Sequence, residues 1–197
     1  TELELAWEHR SGDFRQAREG AEGSRFGDRD GPRPQSALQV TPIVVNDTLY
    51  YCTPFNRVFA LDAASGRERW VYDPVVDTDP IALTNCRGVS SWQDPLPQGE
   101  ACDHRIFTGT LDGRLIALDG ATGKPCEDFG AGGQLDLREG LGEDIRHEYG
   151  ITSPPAILGN LVTTGAMVLD NRRTGSPGGV VRAFDVRSGE LRWSWDP

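Results

Sequence analysis

The chain has 197 residues, 37% hydrophobic and 25% charged, so it can bury a core and is not a disordered segment. Its 24 glycines and 13 prolines, almost one residue in five, do not suit a helical bundle and predict short elements joined by tight turns. A formal net charge of −10 counts against nucleic acid or an anionic membrane surface as partner, and no apolar run reaches the roughly 18–20 residues of a membrane-spanning helix.

The chain opens on Thr1 rather than Met, which reads as a processed product or a portion of something longer. Leu5-Ala6-Trp7 followed by Ser11-Gly12-Asp13 reads as the first, weakest copy of a repeat, and residues 14–36 as a loop. Residues 40–45 and 48–52 predict a strand pair turning at Asn46-Asp47. The clearest copy, RVFALDAASGRERW at 57–70, follows directly. A second, RLIALDGATGKPC, spans 114–126, and a third, VVRAFDVRSGELRW, spans 180–193. Between them, 131–150 is rich in glycine and charge and reads as a loop, while 152–158 and 161–164 form another strand pair turning at Gly159-Asn160.

The shared frame is Ala, an apolar residue, Asp, two further residues, Ser or Thr, then Gly. Its aspartates, Asp62, Asp119 and Asp185, are 57 and 66 residues apart. Each copy predicts a β-hairpin. The apolar run before the Asp has strand propensity. The carboxylate accepts from backbone N–H groups two or three residues on, and the Gly supplies a positive φ. These aspartates are therefore expected to be turn residues rather than catalytic groups. Trp70 and Trp193, which close two of the hairpins, are expected to be buried staples, each contributing roughly 4–6 kcal/mol of gross apolar burial.

These elements predict an all-β fold, a partial β-propeller of about three four-stranded blades near residues 38–74, 102–130 and 151–197. Three blades cannot close a ring, which takes roughly four to eight, so further blades are expected beyond Pro197. Cys52, Cys86, Cys102 and Cys126 contain no CxxC pair or zinc spacing with His9, His104 and His147, so the even count permits disulfides without requiring them. Strands folded back within one blade predict a Cys102–Cys126 bridge, with Cys52 and Cys86 free.

The repeat AxDxxTGxxxW resembles the tryptophan-docking motif of quinoprotein dehydrogenases, which use pyrroloquinoline quinone (PQQ). The segments VTPIVVNDTLYYCTPFNRVFALD, CRGVSSW, CDHRIFTGTLDGRLIALDGATG, TSPPAILG, Asp170-Asn171 and GGVVRAFDVRSGELRWSWDP succeed one another as in the membrane-bound glucose, quinate and polyol dehydrogenase branch. The resemblance implies an eight-bladed propeller on the periplasmic side of the bacterial inner membrane. It also implies PQQ with a Ca2+ or Mg2+ ion, oxidation of a sugar, polyol or cyclic alcohol, and electron transfer to ubiquinone. Arg87 matches the arginine that meets a PQQ carboxylate. Asp170 and Asn171 match the pair at the cofactor, with Asn171 a metal ligand, and both offer the oxygens that hard cations take. The catalytic aspartate is expected beyond residue 197, so these residues by themselves are expected to lack turnover. Leu83 stands where the glucose branch has a histidine, which counts against glucose as the substrate. The resemblance also admits a non-catalytic PQQ-repeat propeller that binds protein partners. The CRGV segment and the Asp-Asn pair favour the enzyme, because a scaffold needs only the repeat.

Overall fold

The computed structural model describes residues 3–13, 36–76, 84–142, 148–169 and 174–196. A short strand, β1 (Ser36–Leu38), leads into a sheet of β2 (Ile43–Val45), β3 (Thr48–Cys52), β4 (Val58–Asp62) and β5 (Glu68–Tyr72). Next, β6 (Thr84–Cys86) pairs in parallel with β1. The second sheet is β7 (Ser90–Gln93), β8 (His104–Gly109), β9 (Arg114–Asp119) and β10 (Gln134–Asp136). After β11 (Tyr149–Gly150), the third sheet comprises β12 (Ala156–Leu158), β13 (Leu161–Thr164), β15 (Val181–Asp185) and β16 (Leu191–Trp195), while β14 (Met167–Val168) pairs with β11. Every pair within the three four-stranded sheets is antiparallel, as in propeller blades. No helix occurs among the described residues, and none there is long and apolar enough to cross a membrane.

Two boundaries differ from the sequence reading. The second sheet runs from Ser90 to Asp136, past both ends of 102–130, because its first and last strands lack the apolar alternation that marks the central hairpin. The presumed loop 131–150 contains β10 and β11.

The repeat builds the same corner three times. Asp62 Oδ1 accepts the Ser65 N–H at 2.9 Å, Asp119 Oδ1 the Thr122 N–H at 2.8 Å, and Asp185 Oδ1 the Ser188 N–H at 3.1 Å. The glycine four residues after each Asp has φ near +70°: 71° at Gly66, 72° at Gly123 and 74° at Gly189. The second carboxylate oxygen ties the corner to its surroundings. Arg69 donates to Asp62 and Arg192 to Asp185, whereas Asp119 accepts the Cys102 N–H at 2.7 Å.

These corners receive the preceding sheet. The Trp70 indole N–H donates to the Gly120 carbonyl at 3.0 Å, and its ring lies where a Cβ on Gly123 would stand 2.6 Å away. Trp7 does the same one sheet earlier: its N–H reaches the Ala63 carbonyl at 3.2 Å, and its ring lies 2.5 Å from a Cβ built on Gly66. The weak first repeat is thus a segment outside any strand, docked through Trp7. Among the described residues no tryptophan of the second sheet docks on the Asp185–Gly189 corner as Trp70 does on the Asp119–Gly123 corner. There the Gly130 N–H donates to the Ser188 carbonyl at 3.0 Å. Buried Arg105 reaches the Cys102 and Arg187 carbonyls and Asp128, and Arg187 lies 4.7 Å over the Trp92 ring. Trp193, expected to be buried, is 43% exposed, since no sheet packs over β16 among the described residues. Two apolar cores lie between the sheets. One holds Tyr50, Ile106, Ile116 and Leu118, and the other Phe107, Phe129, Val162 and Phe184.

Candidate cofactor-binding site

The innermost segments of the three sheets meet just before their first strands, at Thr41, Arg87 and Thr152. The Thr41 N–H donates to the Arg87 carbonyl at 2.9 Å, and the Arg87 N–H donates to the Thr152 carbonyl at 2.9 Å. One backbone ladder therefore crosses all three segments. Gly88 permits the close approach: a Cβ there would stand 3.3 Å from the Thr41 carbonyl oxygen and 3.4 Å from the Pro154 ring. The Ser90 hydroxyl donates to the Pro155 carbonyl and ties the second segment to the third again.

The Arg87 side chain is exposed at this junction, and its Nη1 donates to Thr152 Oγ1 at 2.5 Å. Its setting differs from that of most other arginines, although Arg182, which donates to the Leu137 and Glu139 carbonyls, also has no carboxylate partner among the described residues. Arg57, Arg69, Arg105, Arg114, Arg138, Arg187 and Arg192 each pair with a carboxylate. Among the described residues Arg87 pairs with none, and a hydroxyl orients it without neutralising it. A guanidinium so held keeps its charge and a donor edge for a planar anion. Asp170, Asn171 and Leu83 lie outside the described residues, as does His147.

The cysteines form two disulfides, Cys52–Cys86 and Cys102–Cys126, each with Cα atoms 5.9 Å apart. The expectation that Cys52 and Cys86 are free is therefore corrected. A pairing within one hairpin cannot reveal this bridge, because Cys52 ends β3 and its partner Cys86 lies in β6, on the segment that follows the first sheet. Both sulfurs belong to buried residues, and Cys86 directly precedes Arg87.

Asp62, Asp119, His104 and His9 are tied into the sheets by hydrogen bonds. At Asp119 burial pushes the carboxyl up, but the Cys102 N–H and the Thr122 hydroxyl and N–H outweigh it and hold the pKa below the usual carboxylate range. Hydrogen bonds from Arg69 and Ser65 hold Asp62 low. His104, hydrogen-bonded to Ser91 Oγ at 2.9 Å, is held below its ordinary value by burial, against the pull of Asp119. His9 sits apart, 2.8 Å from Glu68 and 2.7 Å from the Tyr51 hydroxyl. Two surface grooves, one along Trp7, His9 and Tyr51 and the other along Leu135, Arg182 and Phe184, exclude Arg87.

The profile of the glucose/ethanol/alcohol dehydrogenase β-propeller family, the PQQ family, matches residues 1–197. The chain belongs to this family of quinoprotein dehydrogenases. It is 37% identical to the quinate/shikimate dehydrogenase (quinone) of Acinetobacter baylyi over 100% of this chain and 24% of the relative. It is 41% identical to the glycerol dehydrogenase large subunit of Gluconobacter oxydans over 85% of this chain and 23% of that protein. The solved quinohemoprotein alcohol dehydrogenase of Comamonas testosteroni superposes with a TM-score of 0.64 at 27% identity, over 82% of this chain and 21% of that one. The chain thus spans about a quarter of the length of the curated quinoprotein relatives it matches.

Sequence reasoning missed Thr152 as the partner of Arg87. A signal was available: Thr41 and Thr152 each sit just ahead of a proline and a first strand, the place that Arg87 takes in the second sheet.

Proposed function

We propose that this chain supplies the first blades, and one wall of the cofactor site, of a PQQ-dependent dehydrogenase acting on a sugar, polyol or cyclic alcohol. The observation that carries the reading is Arg87, a cation with no carboxylate partner among the described residues, exposed where three inner segments meet. A tricarboxylate such as PQQ fits that group, because a guanidinium fork meets a carboxylate with two parallel hydrogen bonds. When bound, PQQ supplies the two-electron acceptor for the alcohol. The role of Arg87 is to bind and orient one of its carboxylates, and that of Thr152 is to hold the guanidinium.

Asp170 and Asn171 are proposed to face the cofactor, with Asn171 offering its amide oxygen to Ca2+ or Mg2+. Ubiquinone is proposed as the electron acceptor, and the periplasmic side of the inner membrane as the location. Two disulfides suit an oxidising compartment. Leu83 in the place of a histidine favours quinate-like or polyol substrates over glucose. Equilibrium titration with PQQ tests the reading. Arg87→Gln should weaken binding by roughly 1.5–3 kcal/mol, the value of a lost charge-assisted hydrogen bond. Dye-coupled oxidation of quinate, glycerol and glucose ranks the substrates. Unchanged PQQ affinity in Arg87→Gln would refute the reading.

A further inference from the structure

The backbone of Arg87 is held from both sides by its ladder to Thr41 and Thr152, and on its N-terminal flank by a covalent bond. Cys86 is 3% exposed and is bonded to Cys52, 0% exposed, at the end of the second strand of the first sheet. Cys52 is paired in register with Val58 of the neighbouring strand. The bridge therefore fastens the Arg87 segment to the interior of a blade rather than to a loop. β6 contributes only three residues and among the described residues pairs with β1 alone, itself three residues long, so strand pairing by itself gives this segment a weak anchor. Beyond Arg87, Gly88 leaves no side chain to wedge against Thr41 or Pro154. What fixes the position of the guanidinium is thus the bridge behind it and the Thr152 hydroxyl in front.

We propose that the Cys52–Cys86 disulfide and the Thr152 hydroxyl act as positioning groups for Arg87, so that anion affinity at this site depends on the oxidation of a buried bridge. This rests on the proposed PQQ site. An arginine preset by its surroundings loses less side-chain freedom on meeting a carboxylate, which is where preorganisation gains affinity. Breaking the bridge leaves the guanidinium chemically intact and its aim dispersed. The pair differs from Cys102–Cys126, which lies within the second sheet and joins no segment carrying a candidate ligand.

The test is PQQ affinity, read by equilibrium titration in the full-length protein with Ca2+ present, in a cycle of variants. Cys52→Ala/Cys86→Ala is expected to raise the Kd about tenfold or more in the wild-type background, and to change it little once Arg87→Gln is present. A purely structural bridge would act equally in both backgrounds, and that additive result would overturn the inference. So would an unchanged Kd in the double-alanine variant. Wild-type protein that bound no PQQ would instead refute the cofactor reading itself, so the two failures are distinct. If the double-alanine variant does not fold, Thr152 carries the test. Thr152→Val is expected to raise the Kd several-fold, with Thr152→Ser restoring it. A valine variant as tight as wild type, or a serine variant as weak as valine, would overturn the positioning role.

Discussion

Replacing Gly123 with alanine probes the contact that joins the first sheet to the second. Two costs add. Gly123 has φ +72°, and an L-residue in the left-handed region loses about 1–2 kcal/mol. The new Cβ would also stand 2.6 Å from Cδ2 and Cε3 of Trp70, with the ring pinned by its hydrogen bond to Gly120. Overpacking of that kind costs about 1–3 kcal/mol. The expected loss is therefore about 2–5 kcal/mol. Gly159 supplies the control. Its φ is +58° and nothing lies within 4 Å of its Cβ position, so Gly159→Ala should cost only the backbone share, about 1–2 kcal/mol. In a Trp70→Ala background, Gly123→Ala should fall to the Gly159 value, because the ring it strikes is gone. Urea unfolding followed by far-UV circular dichroism measures all four variants. Equal costs at Gly123 and Gly159, or a Gly123 penalty that survives removal of Trp70, would refute this account of the junction.

Acid should destabilise the corners. The folded pKa values of Asp119 and Asp185 are depressed, so their contribution is complete above the unfolded value, about 4, and is lost as pH falls through the folded one. Asp119→Asn should therefore flatten the dependence of the melting temperature on pH below 4. His104 is also depressed, so stability should be full above its unfolded value near 6.5 and decline as pH drops from there towards the folded one; His104→Gln should remove that decline. Burial, aided by Glu68 and Asp13, pushes the Tyr51 phenol up to about 12, so one tyrosine should ionise near that pH in an ultraviolet titration. Arg105→Ala should cost at least about 1–3 kcal/mol, because it strips a donor from two carbonyls at the junction of the second and third sheets. Thermal melts of that variant indistinguishable from wild type would count against the bracket.

The sequence disclosed whatever rested on local chemistry. Asn46 and Asp47 take φ 49° and 57°, as a two-residue hairpin between β2 and β3 demands, and three aspartates cap three corners. What stayed hidden was long-range. Ser90-Ser91-Trp92-Gln93 becomes a strand only because β8 lies beside it, and β6 only because it meets β1 in parallel. Cys52–Cys86 spans 34 residues and two sheets, which no hairpin pattern announces. At the candidate site, the CRGV segment singled out Arg87, which the structure places exposed at the junction of three segments. Thr152 was not singled out, because its role depends on a convergence that arises only when the sheets stand side by side.

The docking of Trp7 on Gly66 and of Trp70 on Gly123 has a direction. Trp70 joins the outer strand of the first sheet to the corner of the second, and Trp7 joins the segment before the first sheet to that sheet's corner, so unlike surfaces meet and the donor and acceptor faces of a blade never coincide. Contacts of this head-to-tail kind either come full circle or continue without limit. The angle between successive blades, set by the residues under each indole, then decides between a closed ring and a fibre. A blade whose acceptor corner loses its glycine would interrupt the succession in one sense of rotation while leaving its own outgoing strand fit to dock. Closure is thus a cumulative property, to which every tryptophan and every corner contributes an angle as well as an energy.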